Sequence, residues 1–288
     1  MKDPSISFLV LVVLALASIT PASAQEDDKE LGWFYSAELG YVLAAGNAES
    51  TSLNFGGSVR GEWERSSWLL EGAGLRAETT SRVRRAVGAS PADFTIEDQS
   101  TDELTAENYF FGTRYDRSLS GNWYAFGSGA WLRNTFAGID ARYTLAGGVG
   151  NAWVDNDRQH FSTDYGVTYT DQTDVIENPA VSNSYAGFMV GADYWRQLTS
   201  TTEFTSQLFF NDSFSDTDNW RSDWLNSIQV SINEVLALKA SLLLQYNNRP
   251  ALEAISLENP LGTPTGDTVF VELDELDTYF TIALVLTL

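Results

Sequence analysis

Residues 33–44 read WFYSAELGYVLA and residues 53–64 read LNFGGSVRGEWE. Taken every second residue, the first stretch gives Trp33, Tyr35, Ala37, Leu39, Tyr41 and Leu43 against Phe34, Ser36, Glu38, Gly40, Val42 and Ala44. The second gives Leu53, Phe55, Gly57, Val59, Gly61 and Trp63 against Asn54, Gly56, Ser58, Arg60, Glu62 and Glu64. A period of two belongs to a β-strand, whose successive side chains point to opposite faces. One face is apolar, and the other accepts full charges. The alternation recurs at 69–79, 104–117, 123–136, 142–154, 160–170, 185–197, 203–212, 221–232, 236–247 and 277–288, which makes twelve strands in all.

The connections fall into two kinds. After even strands come tight turns at 64–67, 119–122, 155–158, 198–201 and 232–235. After odd strands come longer acidic loops at 80–103, 171–184, 213–220 and 248–276, with shorter ones at 46–49 and 137–141. Short turns on one rim, long loops on the other and an even strand number predict a transmembrane barrel of the bacterial outer-membrane kind. The segments also reach the roughly 9–11 residues that a spanning strand needs. A soluble exported sandwich would alternate as well, but its strands average about 5–6 residues.

Export is written at the N-terminus. Residues 8–17, FLVLVVLALA, form an apolar run behind Lys2, followed by Pro21 and the small residues Ala22, Ser23 and Ala24. This is the pattern of a cleaved signal peptide over 1–24, too short to span as a helix. It leaves a short periplasmic segment at 25–31 and a barrel over 32–288. The 288-residue chain has 17 basic and 39 acidic residues and no cysteine, for a net charge of -22. Losing Lys2 and Asp3 with the signal leaves 16 and 38, so the mature chain keeps that charge. Such acidity argues against nucleic acid as a partner, and the missing cysteines exclude disulfides and thiolate metal sites.

In hydrocarbon every backbone N–H and C=O needs an internal partner, so strands can span only as a closed ring. The fold expected is therefore all-β: a twelve-stranded antiparallel up-and-down transmembrane β-barrel. Its outward face can be apolar, whereas its inward face can hold charge. Parity assigns to the lumen Glu38, Arg60, Glu62, Glu107, Arg114, Asp116, Arg133, Arg142, Asp164, Glu203, Asp223 and Lys239. Both signs occur, so a lumen laced with ion pairs is expected. Trp33, Trp63, Tyr115, Tyr124, Tyr169, Tyr194, Trp224 and Tyr246 fall near strand ends as outward girdles.

The segment GYVLAAGNAESTSLNFG, residues 40–56, resembles the opening hairpin of the salt-induced outer membrane protein family, a bacterial barrel family lacking an assigned activity. LSGNWYAFGSGAWLRNTFAGIDARYTLAGGVGNAWV, residues 119–154, is similar to its central strands: a periplasmic turn, Tyr-Ala-Phe-Gly, a Phe-Ala-Gly loop and an Arg-Tyr-x-x-Gly-x-Gly return. What the resemblance implies is fold and location in the outer membrane, with no catalytic residues to transfer. Barrels of this class usually end in an aromatic residue; this chain ends ALVLTL over 283–288, its last outward aromatic being Phe280.

Several constellations invite chemistry. His160, the single histidine, shares a face with Ser162, an arrangement that superficially resembles lipase chemistry in which histidine activates serine. The pair faces the lumen at the short-turn rim, away from any acyl chain, and the reading is structural. Carboxylates sharing a face, such as Glu62 and Glu64, read as lumen ion-pair members, and Gly147, Gly148 and Gly150 sit inside a strand as aids to close approach. No enzyme activity, cofactor or metal centre is expected. Outer-membrane lipid, lipopolysaccharide and the barrel-assembly machinery are the expected partners. Divalent cations are a further candidate at the acidic loops, which carry Glu97, Asp98, Asp102, Glu103, then Asp212, Asp216, Asp218, and in the last Glu253, Glu258, Asp267, Glu272, Asp274 and Glu275. Arg82, Arg84 and Arg85 form the one basic cluster, suited to lipid phosphates or to the acidic residues of their own loop. Two functions remain open: a small pore or envelope-maintenance barrel, cation-preferring if it conducts, and a non-conducting structural or ligand-binding barrel. A lipid-active enzyme is a third and weaker reading.

Overall fold

The computed structural model describes residues 31–44, 49–90, 93–178, 181–258, 260 and 264–287. The signal peptide, residues 25–30, most of the first long-rim connection at 46–49 and the terminal Leu288 lie outside the described residues.

Twelve strands close into one antiparallel ring. In chain order they are β1 (Gly32–Ala44), β2 (Glu49–Trp63), β3 (Ser66–Ser90), β4 (Asp93–Ser118), β5 (Trp123–Asn134), β6 (Ile139–Asn156), β7 (Gln159–Asp174), β8 (Ser184–Gln197), β9 (Thr202–Ser213), β10 (Trp220–Ser231) and β11 (Leu236–Asn247). After β12 (Leu252–Glu258) and β13 (Pro264–Glu272), the twelfth barrel strand is β14 (Leu276–Thr287). Neighbours in sequence pair in space throughout, as in an up-and-down barrel. The ring closes where β1 meets β14, with Ala37 opposite Leu286 and Leu39 opposite Leu284.

Two segments expected as loops are strands instead. Residues 80–103 continue β3 and β4 as a paired hairpin up to Ser90 and Asp93, with Arg84 opposite Asp98 and Arg85 opposite Glu97. Within 248–276, β12 and β13 form a separate two-stranded sheet, Leu252 opposite Glu272. Both hairpins stand on the long-loop rim. Neither segment keeps, over a whole strand, the strict apolar alternation that marks a half-buried one.

The outward face carries exposed apolar side chains with no protein cover, among them Leu39 and Leu145, each 63% exposed, and Val167 at 59%. The inward face holds buried polar groups such as Asn54, Thr170, Asn211, Lys239 and Thr281. This is the inverse of a soluble protein and the pattern that a lipid solvent imposes. Aromatic clusters mark the two rims. Trp33 lies edge-on to Trp63 at 5.7 Å and to Trp68 at 6.0 Å near the short turns. Trp220 stacks on Tyr246 at 4.8 Å near the long loops.

Two of the twelve expected lumen residues face outward, each for an identifiable reason. In β4 a bulge slips the register, so that Ala77 faces Ala106 while Glu78 faces Leu104. One extra residue reverses every side chain beyond it. Beyond that bulge the register runs unbroken from Glu107 to Asp116, so Glu107, seven positions from the inward Arg114, shares the outward face of Phe111 and Tyr115, opposite Arg76. In β5 both alternating sets are apolar, and the set Tyr124, Phe126, Ala130, Leu132 points inward. That turns Arg133 outward, where its Nη1 donates to Asp140 at 2.6 Å, and brings Tyr124, expected in the outer girdle, into the lumen.

Phe126 explains the choice. It is buried, and it stands in register with Gly148, which faces Gly166 on β7. A Cβ on Gly148 would sit 2.1 Å from the carbonyl oxygen of Tyr165. The two glycines let backbones approach and leave a hollow that the phenyl ring covers, an aromatic over a glycine gap.

Candidate functional site

The lumen is organised in three levels. In the half nearest the short turns, Lys239 on β11 reaches across β14 to Glu38 on β1, donating to Oε1 at 3.0 Å. Both side chains are buried, at 1% and 5% exposure. Arg60 pairs with Glu62 two residues along β2. Arg114 holds two carboxylates: Asp116 on its own strand at 2.8 Å and Asp164 on β7 at 2.7 Å through a two-pronged contact. The Tyr124 hydroxyl donates to Asp164 at 2.8 Å, and the Arg114 guanidinium lies over the Phe126 ring at 4.4 Å. Glu203 accepts from Trp195 Nε1 at 3.0 Å.

At mid-height the lumen turns apolar. Leu225, Leu243 and Tyr279 form a row across β10, β11 and β14, in register with one another. Leu75 on β3 packs against them from the far wall, with β2 and β1 between β3 and β14. Leu75 and Leu243 are 1% and 2% exposed, each buried against its neighbours in this cluster. Just outside this waist Asn134 Nδ2 on β5 donates to the Tyr279 hydroxyl at 3.2 Å, a second contact spanning the barrel.

Beyond the waist opens a vestibule of about 160 Å³. Arg142, Arg221, Asp223 and Asp277 line it, roofed by Leu273 and Asp274 at the foot of the outer hairpin. Arg142 Nε donates to Gln172 at 2.5 Å, and Arg221 donates to Tyr185, Thr144 and Thr170 at 3.0, 3.3 and 3.4 Å. Asp223 accepts from Gln245 at 3.0 Å.

Ten expected lumen residues therefore sit on the inward face: Glu38, Arg60, Glu62, Arg114, Asp116, Arg142, Asp164, Glu203, Asp223 and Lys239. Sequence reasoning passed over Arg221, Tyr124 and the leucine waist. A signal existed for two of these: Arg221 lies two residues before Asp223, and Leu243 shares its parity with Lys239. His160 Nδ1 lies 3.2 Å from Asp155 Oδ1 at the short-turn rim, and the buried Ser162 shares its face. Of the acidic loop residues, Asp216 and Asp218 are each 3.4 Å from Arg249. Among the described residues no three acidic or histidine side chains converge to hold a metal ion.

A closed ring with an apolar exterior, rim aromatics and a charged interior defines a transmembrane β-barrel of outer-membrane type. The chain matches over residues 37–257 the profile of a family described as "Protein of unknown function, DUF481", and it belongs to that family. No curated protein sequence is significantly similar to it. Among solved structures the barrel is similar to the NanC porin, with 11% identity, a TM-score of 0.43 and coverage of 88% of this chain and 98% of that one. It is also similar to an anion-selective porin from Comamonas acidovorans, at 8% identity, a TM-score of 0.37 and coverage of 90% and 97%. The outer membrane channel DcaP of Acinetobacter baumannii gives 10% identity, a TM-score of 0.31 and coverage of 89% and 94%.

Proposed function

We propose that the protein is a barrel of the bacterial outer membrane that stays closed to ions and works through its outer mouth. The observation that carries this reading is the waist of Leu75, Leu225, Leu243 and Tyr279. Twelve strands lie between barrels filled by side chains and wide aqueous porins, so strand number leaves the state of the lumen open. An apolar plug built from nearly opposite walls favours the non-conducting barrel over a cation-preferring pore, because dehydrating an ion there has no compensating ligand.

In this reading the partners are outer-membrane lipid, lipopolysaccharide and the barrel-assembly machinery, and no catalysis is involved. A role in salt or osmotic adaptation rests on the motifs of residues 40–56 and 119–154 alone; unchanged protein abundance at raised external NaCl would remove it. The test of the main reading is single-channel recording of the mature chain, refolded in detergent, confirmed folded by its heat-modifiable gel mobility and inserted in planar bilayers. The parent is expected to be silent, and the double variant Leu75→Ala with Leu243→Ala to give small cation-preferring steps. Regular steps from the parent would overturn the closed-barrel reading.

A further inference from the structure

The vestibule arginines break a rule that this barrel keeps elsewhere. An arginine followed two residues later by a carboxylate on the same face closes into an ion pair at Arg60 and Glu62, at Arg76 and Glu78, and at Arg114 and Asp116. Arg221 and Asp223 have the same spacing and the same inward parity, yet they form no ion pair. Arg221 is drawn to three neutral hydroxyls, while Asp223 holds the amide of Gln245. Among the described residues Arg142, on the same cavity, has the neutral Gln172 as its one hydrogen-bond partner, and Asp277 has no ion-pair partner.

Arg221 is 7% exposed. A guanidinium that deep normally takes a carboxylate, because removing its water without an opposing charge costs several kcal/mol. In a chain with 39 acidic residues a partner was available two positions away. Two cations and four carboxylates line the cavity: Asp274 sits at its roof and Glu275 accepts from the Tyr246 hydroxyl, while Asp223 and Asp277 line it with no ion pair to either arginine. A simple anion would meet the arginines but also Asp223 and Asp277; a simple cation would meet the reverse. A molecule carrying both charges satisfies both pairs at once, its anionic group taking the guanidinium forks.

We infer that the outer vestibule is a binding site for a small zwitterion bearing a carboxylate and an ammonium group, the carboxylate held by Arg142 and Arg221 and the ammonium by Asp223 and Asp277. The cavity volume equals that of about five waters in the liquid, enough for a molecule of amino-acid size. The site does not depend on the closed waist: a barrel found to conduct would still carry the same vestibule.

The test is ligand-observed NMR on the full mature barrel in detergent at low ionic strength. The probes are glycine, β-alanine and γ-aminobutyrate, three zwitterions of growing charge separation, with butyrate and butylammonium as single-charge controls. At least one zwitterion is expected to bind saturably and at least tenfold more tightly than either control. Arg142→Gln and Asp277→Asn, at partly exposed positions that tolerate change better than Arg221, should each weaken it tenfold with gel mobility unaltered. Absence of saturable binding by all three zwitterions to a folded barrel overturns the inference. Equally, butyrate binding as tightly as the best zwitterion, with Asp277→Asn without effect, would make this a plain anion site.

Discussion

Replacing Lys239 with methionine keeps the side-chain length and removes one charge from the pair that ties β1 to β11 across the closing strand. At the 3.0 Å separation of Nζ and Oε1 the Coulomb attraction is about 5–6 kcal/mol at an effective dielectric of about 20. Dehydrating two ions offsets most of that gain, so the pair itself adds little net stability. The single variant is different, because Glu38 stays buried and its second oxygen, Oε2, has no hydrogen-bond partner among the described residues. Stranding one partner of a buried pair costs about 3–5 kcal/mol. With an m value of about 2 kcal/mol/M, the urea midpoint should fall by about 1.5–2.5 M. The assay is reversible urea unfolding in detergent micelles, followed by tryptophan fluorescence. The double variant Glu38→Leu with Lys239→Met should recover most of the loss, since it removes both charges together. A single variant within about 1 kcal/mol of the parent would refute the reasoning, and so would a double variant less stable than either single.

Further expectations follow from the same geometry. Asp164→Asn removes the charge from the two-pronged contact with Arg114 and should cost about 1.5–3 kcal/mol, whereas Tyr124→Phe should cost about 0.5–1.5 kcal/mol; urea midpoints give both. Gly148→Ala drives a methyl group into the Tyr165 carbonyl and should abolish the heat-modifiable folded band, while Gly127→Ala, whose Cβ would meet nothing within 4 Å, should leave it intact. Val167→Arg puts a charge on the lipid face near the middle of β7 and should destabilise the barrel by about 2–4 kcal/mol in liposomes.

Strand number, the two kinds of connection and the closing parity of Phe280, Ile282, Leu284 and Leu286 were legible because each depends on a period of two held over a whole spanning strand. What the pattern could not carry was any local break in that period. On β4 the alternation places Glu107 and Arg114, seven positions apart in an unbroken register, on opposite faces, and the bulge at 104–106 hides where that alternation begins. In β5 the two alternating sets are both apolar, and the tie is broken only by glycines on β6 and β7, distant in sequence from Phe126. The leucine waist escaped notice for a related reason: Leu75, Leu225 and Leu243 sit far apart in the chain, each unremarkable alone, and they meet only because the ring closes. The carboxylate and arginine pairs at a spacing of two could be read directly, yet nothing in that spacing distinguishes Arg221 and Asp223, which stay apart.

The hairpin of β3 and β4 has a consequence for the cell surface. From Ala77 to Ser90 it continues for about 45 Å of strand beyond the level at which the outward charges begin. Because the two strands are hydrogen-bonded to each other along that length, it forms a stiff mast rather than a slack loop. In the proposed orientation, with the long-loop rim outward, an antibody, phage or protease approaching the cell meets this mast before it meets the mouth of the barrel. A short epitope placed at its tip would report the barrel on intact, unpermeabilised cells without disturbing the vestibule below.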